Sequence, residues 1–145
     1  MKISTKGRYA LRMLLDLAEH QEQGFISLKE IAERQHISKK YLEQIVPMLN
    51  KGKLLRTNRG NKGGYMLAKS ANIITVGDVL RATEGNLAPV SCLEYPENTC
   101  DLADNCAALY IWKGLYQVIC KYLDSITLQD ILYHNTEYTG SDYCI

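Results

Sequence analysis

Three cysteines lie close together in one short segment of the chain, SCLEYPENTCDLADNC. Cys92, Cys100 and Cys106 follow a C-x7-C-x5-C spacing, with four acidic residues and no lysine or arginine among them. Thiolates bind zinc and iron-sulfur clusters, and they are the reactive form of cysteine in thiol switches. Pro96 and Asn98 disfavour regular structure, so we expect a loop that can fold the three thiols around one centre.

The spacing of the cysteines favours an iron-sulfur cluster over a zinc ion. Structural zinc sites usually take their thiolates in close C-x2-to-4-C pairs, and this segment contains no such pair. A cluster is larger than a single ion and its irons are bound at separated corners, so wider spacings suit it. We therefore predict a 2Fe-2S or 4Fe-4S cluster bound by Cys92, Cys100 and Cys106, with a thiol or disulfide switch and a zinc site as alternatives.

Three cysteines are one ligand short of the usual four, and the spacing does not identify the fourth. Cys120 follows Cys106 by 14 residues along a predicted helix. At a rise of about 1.5 Å per residue the separation is roughly 20 Å, so Cys120 is better explained as a buried helix residue. Asp101 and Asp104 are candidates for an oxygen ligand, although the acidic residues of this segment are also explained by a solvated loop. The pattern assigns no role to Cys144.

The composition indicates one domain with an extension, located in the cytoplasm. A chain of 145 residues can bury a core without disulfides. The N-terminal stretch MKISTKGRYALRMLLDLAEHQ has charges between its apolar residues and no small-residue cleavage site, so we expect neither a signal peptide nor a membrane span. In a reducing cytosol, an odd set of five cysteines is used more often for metal or redox chemistry than for structural bridges.

Charge is distributed very unevenly along the chain. Residues 1–70 contain 14 basic and 6 acidic residues, a net charge of +8, whereas residues 71–145 contain 3 and 10, a net charge of −7. A basic half of this kind indicates a polyanionic partner. Between Lys39 and Lys69 there are eight basic residues and a single acid, Glu43, which is typical of a surface that neutralises phosphates.

The first half of the chain predicts three helices followed by a hairpin. Apolar residues recur at helical spacing in RYALRMLLDLA. Ser27 and Glu30 form a capping box at the start of SLKEIAERQ, and Ser38 is the N-cap of KKYLEQIVPMLNK. Pro47 lies inside this third helix and should kink or end it. The segments KLLRTN and YMLA predict two strands joined by the turn RGNKGG, so a helix-turn-helix is followed by a wing.

The second half predicts a closing helix, the cysteine loop and a long apolar helix. TVGDVLRATEG carries its own cap at Thr75 and ends at Gly85, where we place the end of the globular domain. ALYIWKGLYQVICKYLDSI has apolar residues on two adjoining faces, which predicts dimerisation with a second copy. The predicted fold is mainly α with a small β-hairpin, and its parts are a winged helix-turn-helix domain at 1–85, a cluster loop at 86–106, a dimerisation helix at 107–124, and a short helix with a polar tail at 125–145.

Side chains early in the third helix and in the turn of the wing are predicted to contact double-stranded DNA. A carboxylate in a DNA groove can accept a hydrogen bond from cytosine N4, so Glu43 is the most informative of them. A surface ion pair with Lys39 or Lys40 is the alternative explanation. The wing is expected at or beside a narrow minor groove. The predicted DNA-binding residues are Lys39, Lys40, Tyr41, Glu43, Gln44, Arg59 and Lys62.

These motifs together resemble those of a known family. The segments MKISTKGRYALRMLLDLA, ISKKYLEQI and RGNKGGYMLAKSANIITVGDVLRATEG, followed by three cysteines and a long helix, resemble the Rrf-type winged helix-turn-helix regulators, the family of IscR, NsrR and CymR. The resemblance runs from Met1 to Ile131. It implies a homodimer, crossed through the long helix, that binds a palindromic promoter site. It also implies that Cys92, Cys100 and Cys106 match the cluster-binding cysteines of the family.

The fourth ligands known in the family do not carry over to this chain. IscR-like members have a histidine where this chain has Leu109, and NsrR-like members have an acidic residue near the N-terminus, where this chain has Gly7 and Arg8. The hypothesis is a DNA-binding regulator that senses redox or iron-sulfur status, with a cluster-free cysteine-metabolism repressor like CymR or a thiol-switch regulator as the alternative. An enzyme is not expected, because no histidine is near the cysteine segment and no nucleotide-binding glycine motif is present.

Overall fold

The computed structural model describes residues 1–141, which form six α-helices and one antiparallel hairpin. Cys144 lies outside the described residues. The predicted fold class, mainly α with a small hairpin in a winged helix-turn-helix order, is confirmed. In chain order the elements are α1 (Thr5–Glu19), α2 (Leu28–Gln35), α3 (Lys39–Lys51), β1 (Leu55–Asn58), β2 (Gly64–Leu67), α4 (Val76–Glu84), α5 (Leu109–Asp124) and α6 (Leu128–Ser141).

The two predicted capping boxes start α2 and α4. Ser27 Oγ accepts a hydrogen bond from the Glu30 N–H at 3.2 Å, and the Glu30 carboxylate accepts one from the Ser27 N–H at 3.0 Å. These hydrogen bonds from Ser27 lower the pKa of Glu30. Thr75 and Asp78 form the same reciprocal pair at the start of α4, at 3.1 and 2.9 Å. Each box satisfies backbone N–H groups that have no partner within the helix.

The helices α1, α2 and α3 pack around one apolar core. Met13 on α1, Ile31 on α2 and Leu42 and Ile45 on α3 are 0% exposed. Full burial of side chains of this size stabilises a fold by about 1.5–3 kcal/mol each. The inward stripe predicted for the third helix is therefore confirmed, and its packing holds α3 with the opposite face turned to solvent.

Pro47 does not end α3, contrary to the expectation from sequence. The helix continues through Pro47 to Lys51. Proline inside a helix removes one backbone hydrogen bond and crowds the preceding turn, at a cost of about 3 kcal/mol. Val46 and Leu49, on either side of it, are 7% and 0% exposed. Their burial in the core offsets this cost and keeps the last turn helical.

The hairpin forms the predicted wing and is anchored to the core at its base. Strands β1 and β2 pair antiparallel, from Leu55 opposite Leu67 to Asn58 opposite Gly64. Ile26, just before α2, extends this pairing: its N–H donates to the Tyr65 carbonyl at 2.9 Å and its carbonyl accepts from the Tyr65 N–H at 2.8 Å. Gly64 is required here, because a Cβ at this position would collide with the backbone of Ile26.

The C-terminal helix α6 is longer than the short helix predicted from sequence, and it begins inside the main core. Leu128 is 0% exposed and belongs to the same apolar cluster as α1, α2 and α3. The Leu128 N–H donates to the Ile74 carbonyl at 3.0 Å, and the Val76 N–H donates to the Ile126 carbonyl at 2.9 Å. The chain after α5 thus returns to the winged domain. The division into four parts stays a prediction.

Helix α5 has no buried residue along its whole length. Its apolar side chains Tyr110, Ile111, Val118 and Tyr122 are 78%, 52%, 65% and 64% exposed. Large apolar surfaces of this kind are typical of protein interfaces. None of the helices within residues 1–141 is long and apolar enough to cross a membrane.

Helix α4 connects the two ends of the molecule. The N–H and hydroxyl of Ser4, the N-cap of α1, both donate to Glu84 Oε1, at 2.9 and 2.7 Å. Arg81 on the same helix donates to both carboxylate oxygens of Asp124 at the end of α5, at 2.8 and 2.7 Å. The pair raises the pKa of Arg81 and lowers that of Asp124. Helix α4 is therefore attached to both α1 and α5.

Candidate nucleic-acid interface and cysteine loop

The first turn of α3 carries most of the residues predicted to contact DNA. Ser38 caps the helix by accepting a hydrogen bond from the Tyr41 N–H at 3.0 Å. Lys39, Lys40, Glu43 and Gln44 are exposed on the outer face of α3. The exposed face is thus a set of basic and polar side chains at the start of a helix, which is where helix-turn-helix proteins contact bases.

Tyr41 differs from its predicted neighbours, because it is half-buried. Its ring packs edge-on against the ring of Tyr9 on α1, with 5.3 Å between the centroids. Such edge contacts stabilise a structure by about 0.5–1.5 kcal/mol beyond the area buried. The structure therefore gives Tyr41 a part in joining α1 to α3, besides whatever its exposed part contacts.

Glu43 lies beside Lys39 on the same face of α3. The distance from Lys39 Nζ to Glu43 Oε1 is 3.9 Å, and the two side chains are 60% and 55% exposed. An exposed pair at this distance contributes little to stability. Both explanations given for Glu43 are therefore compatible: it pairs with Lys39 in the free protein and remains accessible to a base.

An open groove of about 700 Å³ separates α3 from the wing. Arg59 and Lys62 are exposed in the turn of the wing, and Arg59 lines the groove together with Lys39 and Lys29. The Thr57 hydroxyl donates to the Asn50 side chain at 3.3 Å and ties the wing to α3. Sequence reasoning did not select Lys29, which its position as the second residue of α2 places on the groove wall.

A buried carboxylate joins α1 to α2 behind the exposed face. The Asp16 side chain is 0% exposed and accepts hydrogen bonds from Arg34 Nη2 at 2.7 Å, Arg34 Nε at 3.0 Å and Gln35 Nε2 at 3.0 Å. The hydrogen bond to Asp16 raises the pKa of Arg34. Sequence reasoning assigned Asp16 to the polar face of the first helix. Its place within the apolar run LLDLA is a signal of burial that could have been used.

The three cysteines lie in the loop between α4 and α5, which contains two short 3₁₀ turns, Ser91–Leu93 and Ala103–Asn105. All three are free thiols: Cys92 is half-buried, and Cys100 and Cys106 are exposed. The loop is held mainly by local hydrogen bonds, of which one joins the Cys100 N–H to a side chain two residues earlier. The prediction that the thiols share one irregular segment therefore agrees with their positions.

The loop suits an iron-sulfur cluster in ligand type, but it is not arranged around one. Within residues 1–141, no group of three or more His, Cys, Asp or Glu side chains is placed to hold a metal ion. Asp101 and Asp104 are exposed, and they are not gathered with the thiols. A buried polar atom in the same loop, Asn98 Nδ2, has no hydrogen-bond partner. Thiols and an unused N–H donor are groups that bind and surround cluster sulfur.

Cys120 is separate from this loop. It is half-buried on α5 and lies beside Arg81, whose pKa it helps to raise after the larger effect of Asp124. This position agrees with the expectation of a packed helix residue, although its burial is only partial.

Known proteins share these features along most of the chain. The model of the Rrf2 family, described as iron-dependent transcriptional regulators, matches residues 3–134. The HTH-type transcriptional regulator IscR of Pectobacterium carotovorum is 39% identical over 132 residues, which are 91% of this chain and 79% of the relative.

Two solved structures share the fold as well. CymR of B. subtilis, described as the global cysteine regulator, superposes with a TM-score of 0.75 at 37% identity, over 92% of this chain and 98% of its own. IscR of T. potens superposes with a TM-score of 0.73 at 37% identity, over 95% and 90%. These relatives are named as transcriptional regulators, not as enzymes. This chain, with its winged helix-turn-helix and its basic outer face, belongs to the Rrf2 family of DNA-binding transcriptional regulators.

Proposed function

We propose that this regulator acts in the cytoplasm as a homodimer whose DNA binding responds to an iron-sulfur cluster held by Cys92, Cys100 and Cys106. One observation carries the proposal: the loop that contains all three thiols joins the last helix of the winged domain, α4, to the unpaired apolar helix α5. A group bound in this loop would sit between the DNA-binding part and the dimerisation part. Its presence could therefore change how the two parts are held.

The apolar surface of α5 supports a dimer. Exposed side chains such as Ile111 and Val118 leave a face that a second copy of the same helix would cover. A two-fold dimer presents two α3 helices to the same side of a duplex. We infer that the target is a palindromic site with half-sites about one helical turn apart, or a multiple of it.

The attachments of α4 provide a physical route from the loop to DNA. Glu84, the last residue of α4, holds the N-cap of α1 through Ser4, and the cysteine loop begins two residues later. Arg81 holds the end of α5 through Asp124. A change in loop conformation would act on both attachments. The cluster itself supplies a metal centre whose charge and stability depend on redox conditions and iron supply.

Metal content and DNA binding measured together test this proposal. Protein purified without oxygen should contain stoichiometric iron and acid-labile sulfide, and the triple variant C92A/C100A/C106A should contain neither. A duplex selected from random sequence by the wild-type protein serves as the probe. The triple variant should bind it with altered affinity or site choice, whereas C120A should behave as wild type. Equal binding by cluster-loaded and cluster-free protein would falsify the proposal.

A cluster-free regulator is the second candidate. It is favoured by the likeness to CymR, the global cysteine regulator, and by thiols that are not arranged around a metal. A CymR-like repressor should respond to a partner enzyme of cysteine biosynthesis, and a thiol switch should respond to oxidation. Titrating such an enzyme, and separately an oxidant, against the protein–DNA complex distinguishes these forms. Colourless protein that takes up no iron on reconstitution would favour them.

A further inference from the structure

The side chain of Asn98 has one satisfied end and one unsatisfied end inside the cysteine loop. Its Oδ1 accepts a hydrogen bond from the Cys100 N–H at 3.0 Å, which fixes the amide beside this cysteine. Its Nδ2 is buried and has no hydrogen-bond partner within the described residues. A buried N–H without an acceptor is unfavourable, so a native structure usually provides one.

The other amide at the start of this loop is already used. Asn86 Nδ2 donates to the Glu94 carbonyl and its Oδ1 accepts from the Ala88 N–H at 2.6 Å. The charged side chains of the loop are all carboxylates, namely Glu94, Glu97, Asp101 and Asp104. Carboxylates oppose the gathering of negative charge at sulfur, whereas an N–H donor favours it. Asn98 therefore supplies an interaction that the charged groups of the loop do not.

We propose that Asn98 is a positioning residue that donates an Nδ2–H hydrogen bond to sulfur at the centre formed by the three cysteines, either a cysteine thiolate or a cluster sulfide. This inference rests on the proposed cluster. The acceptor must be a soft, electron-rich atom that arrives with the bound group, because the protein atoms around Nδ2 provide no acceptor within the described part of the chain. Hydrogen bonds to cluster sulfur are among the factors that set reduction potential.

The hydrogen bond should make the cluster easier to reduce. In the couple considered, the cluster gains one electron from an external one-electron reductant such as dithionite, no covalent bond forms or breaks, and the Asn98 proton stays on nitrogen. The added electron increases the negative charge on sulfur, so an N–H donor stabilises the reduced state more than the oxidised state. Removal of the donor should lower the reduction potential.

Three variants separate the donor from the local turn. N98A removes both ends of the amide. N98S keeps a short oxygen that can accept from the Cys100 N–H, since serine forms the same kind of turn, but it removes the amide donor. N105S is the matched control, because Asn105 is an exposed amide in the same loop. All three are purified without oxygen and compared with wild type by iron content, visible spectrum and mediated redox titration.

We expect N98A and N98S to have about tenfold less favourable reduction, which is about 59 mV for a one-electron couple, while N105S matches wild type. If N98A cannot hold iron, N98S decides by the same measurement. Iron-bound N98S with the wild-type potential overturns the role of Asn98 and leaves the cluster in place. Wild-type protein that never binds iron overturns the cluster and the Asn98 inference together, so the two failures are distinguishable.

Discussion

The buried carboxylate of Asp16 on α1 accepts a two-point hydrogen bond from the guanidinium of Arg34 at the end of α2. The Nη2–Oδ1 and Nε–Oδ2 distances are 2.7 and 3.0 Å, and the side chains are 0% and 29% exposed. His36, two residues after Arg34, takes a left-handed conformation with a φ of 53° and leads into α3. The pair therefore fixes the end of α2 at the point where the chain turns toward the exposed helix.

Replacing Arg34 by Ala should destabilise the protein strongly. The change leaves the Asp16 carboxylate buried with Gln35 as its remaining side-chain donor at 3.0 Å. Removal of one partner from a buried pair costs about 3–5 kcal/mol. Urea unfolding at pH 7 measures this loss. K29A is the control, because Lys29 contacts Glu33 at 4.0 Å in solvent and its loss should cost no more than about 0.5 kcal/mol. A loss below about 1 kcal/mol for R34A would show that Gln35 alone is sufficient.

Replacing Asp124 by Asn should remove a stabilising contribution that depends on pH. Hydrogen bonds from Arg81 lower the pKa of Asp124 below its ordinary value of 3.8. The unfolded chain thus binds this proton more readily, so the contribution is present above pH 3.8 and is lost as the pH falls through the lowered pKa. The two side chains are 39% and 44% exposed, which limits the effect to about 0.2–1 kcal/mol at pH 7.

Unfolding of wild type and D124N should therefore differ at pH 7 and converge in strong acid. E22Q is the matched control, since Glu22 is exposed in the short turn after α1. A difference that grows as the pH is lowered would contradict the assignment.

Local signals in the sequence predict most of the winged domain, because they act within a few residues. The capping boxes at Ser27 and Thr75 involve side chains three positions apart, and they start helices where expected. The expectation for Pro47 was wrong because its local cost competes with the burial of Leu49, which depends on the tertiary core. The burial of Leu128 was missed for the same reason, since the residues it contacts are distant in sequence.

The candidate site is predictable in its residue types but not in its contacts. The basic and polar residues of α3 are exposed as expected, but sequence spacing does not show that Tyr41 packs against Tyr9. The roles of Asp16 and Asn98 depend on burial and on partners that lie outside their own turn of chain, or in the case of Asn98 Nδ2 on a partner that the described residues lack. Whether the three thiols close around a cluster is likewise a question of tertiary arrangement.

Replacing Val118 by Glu should disrupt the dimer. Val118 is 65% exposed on α5, so a charge there is harmless in a monomer and unfavourable in an apolar interface. Sedimentation should show a dimer for wild type and a monomer, or an affinity for self-association weaker by at least about tenfold, for V118E. I73E is the control, because Ile73 is 61% exposed but lies outside α5. Equal association of V118E and wild type would place the interface elsewhere.

Replacing Lys40 by Ala should weaken binding to all duplexes alike. Lys40 is exposed at the start of α3, where a lysine contacts phosphate without reading sequence. The slope of log affinity against log salt should become shallower by about 0.9 for each phosphate that the variant no longer neutralises. Fluorescence anisotropy between about 50 and 200 mM salt measures it. K113A on α5 should keep the wild-type slope, and an unchanged slope for K40A would remove Lys40 from the interface.

Replacing Glu43 by Ala should relax the choice of base at one position of each half-site. If Glu43 accepts a hydrogen bond from cytosine N4, its loss reduces discrimination at that base pair by about 1–3 kcal/mol. Binding to duplexes with other bases at that position should become slightly tighter, because a negative charge is removed from beside the phosphates. Competition among duplexes that differ at single positions measures both effects. If the exposed pair with Lys39, at 3.9 Å, is the whole role of Glu43, E43A will leave the order of preferred bases unchanged.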